Sequence, residues 1–410
     1  MVRALSIKSN VLWNTFGCLF YQGCQWLLTV VVVLLSPNYE NSGYLAFAMA
    51  VGNLYLGLAT YNMRTYQVSD VENVNSAGNY VAFRFVTVSL TSLCFVLYAI
   101  LVSSGETLVI TLAYLLFKLD ESFVNVMYGI DQKAYRMDYI GQSQLMRGTL
   151  CLGFFCLGLV CFDSLFIAIV GMAVACFCVT LFFDVPRARS ITEIRPRLKW
   201  KQCRSFLVKC FPSAAAVFLC GTVVSLVRQV FGLQYGQEAL GIYAAVATPA
   251  VVVQVLANYL YNPVLAPLAE KWMHGSATAF FRLLGKALFA MGVVIAVVLL
   301  VFGLFGGSLL VLVYGDSIAE YTYLLFPVLI STGCVAFMWF FTDLLISVRK
   351  LGGALAANVF ATLFMLASMD FFLSNWYMNG INFCIISSYF VGLAAAILIF
   401  SKTAYERFKC

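Results

Sequence analysis

Long apolar runs, each broken by a few polar residues, recur along nearly all of this 410-residue chain. A helix rises 1.5 Å per residue, so about 20 apolar residues cross the hydrocarbon core of a bilayer. Runs of that length fall near 10–35, 43–66, 80–102, 107–130, 140–162, 164–183, 206–231, 239–262, 280–304, 319–347, 353–373 and 378–400. The pattern predicts an all-α polytopic membrane protein of about twelve transmembrane helices. The first run exceeds a signal-peptide core and lacks a small-residue cleavage site, so it is expected to be retained. Pro249 and Pro327 are expected to interrupt spans 8 and 10, and Gly303, Gly306 and Gly307 to end span 9.

The polar residues inside the runs are patterned. Span 1 carries Asn10, Asn14, Cys18, Gln22 and Gln25, at steps of four, four, four and three. At 100° per residue they occupy an arc of about 120°, one polar stripe on an apolar helix. Span 2 repeats this with Asn53, Gly57, Thr60, Arg64 and Gln67. Thr222, Ser225, Arg228 and Gln229 share a face of span 7, and Gln254, Asn258 and Asn262 a face of span 8. Interhelical hydrogen bonding accounts for any one such residue at roughly 0.6 kcal/mol each. Four stripes on corresponding spans predict a hydrated cavity lined by spans 1, 2, 7 and 8.

Charge then fixes topology. One set of loops holds Arg3, Lys8, Lys133, Arg136, Lys271, Arg349, Lys350, Lys402, Arg407 and Lys409, and also the basic stretch from Arg187 to Arg204. The opposite loops, around 36–42, 103–106, 163, 232–238, 305–318 and 374–377, have no Lys or Arg. The positive-inside rule places both termini in the cytoplasm. The stretch 185–204 becomes a basic cytoplasmic linker between an N-lobe, 1–184 with spans 1–6, and a C-lobe, 205–410 with spans 7–12. Six spans is an even number, so the lobes run parallel. A repeat at an offset of 198 supports duplication: Gly43 with Gly241, Ala46 with Ala244, Leu58-Ala59-Thr60-Tyr61 with Leu256-Ala257-Asn258-Tyr259, and Phe83-Arg84 with Phe281-Arg282.

Composition agrees: 62% of residues are hydrophobic, 10% charged, and mean hydropathy is +0.92. The formal charge of +7 reflects the cytoplasmic bias rather than nucleic-acid binding. Most of the 14 cysteines sit inside apolar runs and act as small hydrophobes. No spacing reads as a metal site, no cofactor is called for, and the single histidine, His274, falls in a predicted loop.

Two cations stand out because a charge at the bilayer centre costs about 3 kcal/mol on insertion scales. Lys118 sits mid-way along span 4, with Glu121 and Asp120 near enough to pair with it. Arg228 lies in the outer third of span 7 with no acid nearby in sequence. Arg147 enters span 5 by about two turns, whereas Arg64 and Arg84 lie near cytoplasmic ends and read equally as topology markers. Among the sparse acids, Asp343 and Asp370 are candidates for coupling to an ion.

The order and spacing of several short segments resemble the multidrug/oligosaccharidyl-lipid/polysaccharide exporter superfamily, and within it the polysaccharide-transport branch of O-antigen and capsule repeat-unit flippases. The segments are Gly43-Tyr44-Leu45-Ala46-Phe47-Ala48, Arg64 to Asp70, Met127 to Gln132 with Arg136-Met137-Asp138 and Arg147-Gly148, Gly241 to Ala244 with Pro263, and Val313-Tyr314-Gly315 with Pro327. The resemblance implies two lobes around a cationic cavity, alternating access, and a polyprenyl-diphosphate-linked oligosaccharide as substrate. It makes Lys118, Arg228, Arg147 and Arg64 substrate-binding candidates, alongside Asn14, Gln22, Gln25, Asn53 and Asn258 from the stripes. Where drug exporters of the superfamily often carry an acid in span 1, this chain has Asn10, Asn14, Gln22 and Gln25.

The expected function is therefore a flippase in a bacterial cytoplasmic membrane, delivering repeat units for lipopolysaccharide, O-antigen or capsule assembly beside membrane lipids, a polymerase and glycosyltransferases. The alternative is a small-molecule, drug or lipid exporter of the same fold. A membrane polymerase or acyltransferase is disfavoured by short outer loops without His, Lys or Arg, so no enzyme activity is expected.

Overall fold

A computed structural model describes residues 5–70 and 74–409; Arg3 lies outside them. The described chain is helical and strandless. Its helices are α1 (Ile7–Leu34), α2 (Glu40–Thr60), α3 (Met63–Ser69), α4 (Ala77–Val102), α5 (Gly105–Lys133), α6 (Met137–Phe162), α7 (Leu165–Val179), α8 (Val185–Ile191), α9 (Trp200–Tyr235), α10 (Gln237–Ala247), α11 (Ala250–His274), α12 (Ala277–Tyr314), α13 (Leu325–Ser347), α14 (Leu351–Trp376) and α15 (Met378–Lys409). A π-helical turn, Thr180–Asp184, joins α7 to α8, and a 3-10 segment, Asp316–Leu324, precedes α13.

Eleven helical stretches are long and apolar enough to cross a membrane. The twelfth expected span, α5, is as long as the others but carries Lys118, Asp120 and Glu121 mid-helix. Lys118 and Asp120 are buried inside the protein rather than turned to lipid, so α5 completes the twelve. The chain is a multi-pass membrane protein.

Breaks in the helices follow local chemistry. Span 8 is interrupted as expected: α10 ends at Ala247 and α11 begins at Ala250, straddling Pro249. The expectation for span 9 is corrected. Gly303, Gly306 and Gly307 lie within α12, which runs on to Tyr314 and stops at Gly315, whose φ of +82° suits glycine. Helical glycines only weaken a helix, whereas a left-handed residue ends one. Pro327 sits in the first turn of α13, where its missing N–H costs nothing.

Two compact units emerge, Met1–Ala214 and Ala215–Cys410, with the division inside α9. In the first, α1 packs along α6, α2 on α5, and α6 on α7. A core of Leu28, Val32, Leu45, Phe117, Phe155 and Met172 fills the middle of this bundle. A second core gathers Met63, Tyr80, Phe83 and Phe206 around α3, α4 and the start of α9. In the second unit α15 packs along α14 and α13, and α11 along α13. The rest of the apolar surface, such as Leu101, Phe182, Leu312 and Phe390, is exposed, as a lipid-facing surface requires.

Arg84 is more than a topology marker. It is 1% exposed and donates to the Ala59 carbonyl at 2.5 Å and to Asn125 Oδ1 at 3.2 Å. Thr87 Oγ1 donates to the same carbonyl at 2.9 Å. That carbonyl is orphaned because α2 ends in left-handed Tyr61 and Asn62, with φ of 51° and 49°.

The crossing of α1 and α6 brings two backbones into direct contact. A Cβ on Gly17 would lie 2.5 Å from Gly141 Cα and 2.7 Å from its carbonyl oxygen. Gly17→Ala is expected to lower stability by about 1–3 kcal/mol through overpacking. Gly303→Ala, where nothing lies within 4 Å of a Cβ, is expected to be neutral or slightly stabilising. Thermal unfolding of the two purified variants in detergent checks the contrast.

Candidate functional site

The first unit's polar interior is built on α5. Lys118 and Asp120 are two positions apart on a helix, so they point to nearly opposite faces. Lys118 turns to Glu121 one turn on, with Nζ 2.6 Å from Oε2, and lies 5.1 Å and 5.5 Å from the ring centres of Phe117 and Tyr114. Asp120 faces the other way and receives Arg147 Nη2 of α6 in a short ion pair. Arg147 is 1% exposed. Its Nη1 donates to Thr180 Oγ1 at 2.8 Å and to the Cys176 carbonyl at 3.4 Å, and lies 4.0 Å from Asp184 Oδ2. The π turn presents both Thr180 and Asp184 to this guanidinium, a use typical of such inserts.

Further along α5, Tyr128 shares a hydrogen bond of 2.8 Å with Ser143 of α6. Arg64, half-buried, donates Nε to Gln132 Oε1 at 3.0 Å and stands 5.7 Å from the Tyr128 ring. Arg136 pairs with Asp138 through two bonds, 2.8 Å and 2.7 Å. A cavity of about 1000 Å³ opens at this end of the unit, lined by Asn10, Gln67, Asn79, Gln132, Lys133 and Tyr135 among others.

The stripe residues divide. Asn10 is buried and caps α6, its Oδ1 accepting the Met137 amide at 2.7 Å while Nδ2 donates to the carbonyls of Leu5 and Ser6. Asn14 accepts from the Cys18 thiol at 3.9 Å, and Gln25 donates to Cys151 Sγ at 3.6 Å. Gln22 and Asn53 are exposed, and Asn258 is half-buried.

In the second unit, Arg228 is half-buried and lies 5.7 Å from the centre of the Tyr243 ring. Among the described residues no carboxylate lies within ion-pair distance of it. Around it the network is neutral: Tyr243 donates to Asn382 Oδ1 at 2.8 Å, as does Ser331 at 3.4 Å. Deeper, Asn358 donates to Thr342 at 3.0 Å, and Tyr261 to Asp343 Oδ2 at 3.0 Å. Asp370 is exposed, 3.5 Å from Gln234 Nε2. Among the described residues no group of three or more His, Cys, Asp or Glu could hold a metal ion.

Sequence reasoning overlooked three participants: Asp120 as the partner of Arg147, and the buried acids Asp131 and Asp184. The spacing of Asp120 and Asp131, three turns along one face of α5, was the available signal.

No family model matches the chain. The bent form of the Vibrio cholerae MATE transporter VcmN superposes with a TM-score of 0.61 at 15% identity, covering 97% of this chain and 96% of that one. The inward-facing form of a multidrug resistance MATE transporter of the MOP superfamily gives 0.71 at 12% identity over 95% of each chain. The eukaryotic MATE transporter AtDTX14 gives 0.71 at 12% over 98% of each. The chain has the MATE fold. In sequence it is similar to the capsular polysaccharide biosynthesis protein CapF of Staphylococcus aureus, 22% identical over 300 residues, 72% of this chain and 74% of that protein.

The geometry makes a sharp energetic prediction. Removing one member of a desolvated pair strands the other charge, at about 3–5 kcal/mol, while replacing both with apolar residues of similar size is close to neutral. Arg147→Met and Asp120→Leu are each expected to lower the melting temperature of the purified protein strongly, and the double variant to recover most of the loss. Additive losses in the double-mutant cycle would contradict the pairing.

Proposed function

We propose that the protein is a flippase for polyprenyl-diphosphate-linked oligosaccharides, carrying repeat units across a bacterial cytoplasmic membrane by alternating access for assembly of a surface polysaccharide. The observation that carries this reading is the likeness to CapF, a capsular polysaccharide biosynthesis protein, in a chain that has a transporter fold. The cytoplasmic ends carry the basic residues, so both termini face the cytoplasm, where glycosyltransferases supply the substrate; a polymerase consumes it outside.

Side-chain chemistry supports the reading. Arg228 has hydrogen-bonding capacity without a carboxylate partner, which suits a diphosphate, since a charge-assisted bond in a dry site offsets the desolvation of both ions. The amides and hydroxyls around it suit sugar hydroxyls. Lys118 is the second candidate, and its hold on Glu121 must be exchanged for phosphate. Arg147 and Arg64 serve from inside the first unit, the former fixed by Asp120.

Export of a small molecule, drug or other lipid is the second reading, favoured by the multidrug MATE transporters of the same fold. Two assays separate them. Arg228→Gln and Lys118→Gln are each expected to cut surface polysaccharide about tenfold or more at normal protein level, corresponding to one charge-assisted contact of ~1.5–3 kcal/mol. Normal polysaccharide in both variants, together with dye efflux that depends on the protein, would favour the drug exporter.

A further inference from the structure

Residues 185–204 carry seven cations and one acid, a net charge of +6 in a chain whose formal total is +7. Setting topology takes only a bias of basic residues toward one side of the membrane. This stretch goes further, because its cations are dense and the backbone that carries them is held in place.

The apolar residues of the stretch turn inward. Ala188, Ile191, Ile194 and Leu198 join the core around α3, α4 and the start of α9. The backbone is fastened to α4: the Arg197 amide donates to the Gly78 carbonyl at 3.3 Å, and Asn79 Nδ2 donates to the Arg197 carbonyl at 2.5 Å. The Arg195 carbonyl passes so close to Gly78 that a Cβ there would collide with it. With this strap pinned from inside, Arg189, Arg195, Arg197, Lys199, Lys201 and Arg204 stand exposed outside it. Glu193 approaches Arg195 at 3.6 Å and Arg197 at 3.9 Å. Among the described residues no carboxylate lies within ion-pair distance of Lys199, Lys201 or Arg204. A pinned backbone loses little further freedom when an anion binds to such an array.

The next helix fixes where the array sits. At 1.5 Å per residue the 36 residues of α9 span about 54 Å, well beyond a hydrocarbon core of about 30 Å. Its apolar run opens near 206, which leaves Trp200 to Arg204 at the level of the lipid headgroups. Trp200, Arg204, Val208 and Phe211 fall within an arc of about 80° on one face of α9. All four are exposed, Trp200 by 77%. From the helix start inward that face reads aromatic, cationic, then apolar, matching a headgroup layer that gives way to acyl chains. A nucleic acid or an acidic protein would match the charge, but not its continuation into Val208 and Phe211.

We propose that the strap and the first turn of α9 form a binding surface for anionic phospholipids. Lys199, Lys201 and Arg204 contact the headgroup phosphates, and Trp200 seats the helix start at the interface. Attraction of this kind acts within a Debye length and weakens with salt. The surface lies wholly in the first unit and is independent of what the protein transports.

Photoactivatable lipids in nanodiscs, with the labelled peptides mapped by mass spectrometry, read this surface locally. A phosphatidylglycerol probe is expected to label the 199–211 segment about fivefold more than the matching phosphatidylcholine probe, the factor for one cation near an anionic surface. High salt is expected to remove the excess, as is the triple variant Lys199→Gln, Lys201→Gln, Arg204→Gln. A control triple of exposed cations in the second unit, Arg282→Gln, Lys286→Gln, Lys402→Gln, is expected to retain it. Equal labelling by the two probes, or an excess that survives in the first triple, overturns the proposal. Equal labelling together with tight binding of a poly-glutamate peptide would assign the surface to an acidic protein and also overturn it. If the first triple does not fold, the probe comparison and its salt dependence in the wild-type protein decide the case.

Discussion

A guanidinium that enters the interior of a membrane-embedded bundle must find its partners within the protein, and Arg147 finds a counter-charge in Asp120. Water is absent from the alternative, so the pair is fixed more firmly than a surface ion pair would be. Once fixed, it sets much of the first unit. It joins α5 to α6, and through Thr180 and the Cys176 carbonyl it joins both to the π turn at the end of α7. Lys118, on the opposite face of α5, pairs with Glu121. Asp184 is left with only a distant share of Arg147. The charge layout of the whole unit follows from which acid Arg147 takes.

The two units solve the same problem differently. The first pairs charges inside it, Arg147 with Asp120 and Lys118 with Glu121. The second uses amides and hydroxyls around a single arginine, with Tyr243, Asn382 and Ser331 in one group and Asn358 and Thr342 in another. A balanced interior binds no anion without first giving up a pair, whereas Arg228 is spared that cost.

The helices were legible in the sequence because hydrocarbon imposes length and polarity so strictly, although α11 and α12 run on to His274 and Tyr314, well past the apolar runs that predicted them. Helix ends were less legible. Gly315 ends α12 through its positive φ, while Gly303, Gly306 and Gly307 do not, and composition cannot tell a left-handed glycine from a helical one. The site was half legible. The deep cations were visible as exceptions to the charge pattern, and Glu121 as a partner of Lys118 with them, but Asp120 as the partner of Arg147 was not. Sequence proximity favours Asp120 for Lys118, yet helical geometry turns it away, and Arg147 reaches it from 27 positions along the chain. Asp131 was hidden among the polar residues of a helix end that reads as solvent-facing.

The positions matched by the faint repeat differ in what holds them. Phe83-Arg84 matches Phe281-Arg282, and Ala59 matches Ala257. Yet Arg84 is buried and Arg282 exposed. The difference lies in the matched carbonyls. Ala59 ends a helix, so its carbonyl needs a donor from outside, and Arg84 supplies one. Ala257 sits inside α11, where the helix itself provides the donor. Arg84, buried without a carboxylate, is held by the orphaned Ala59 carbonyl.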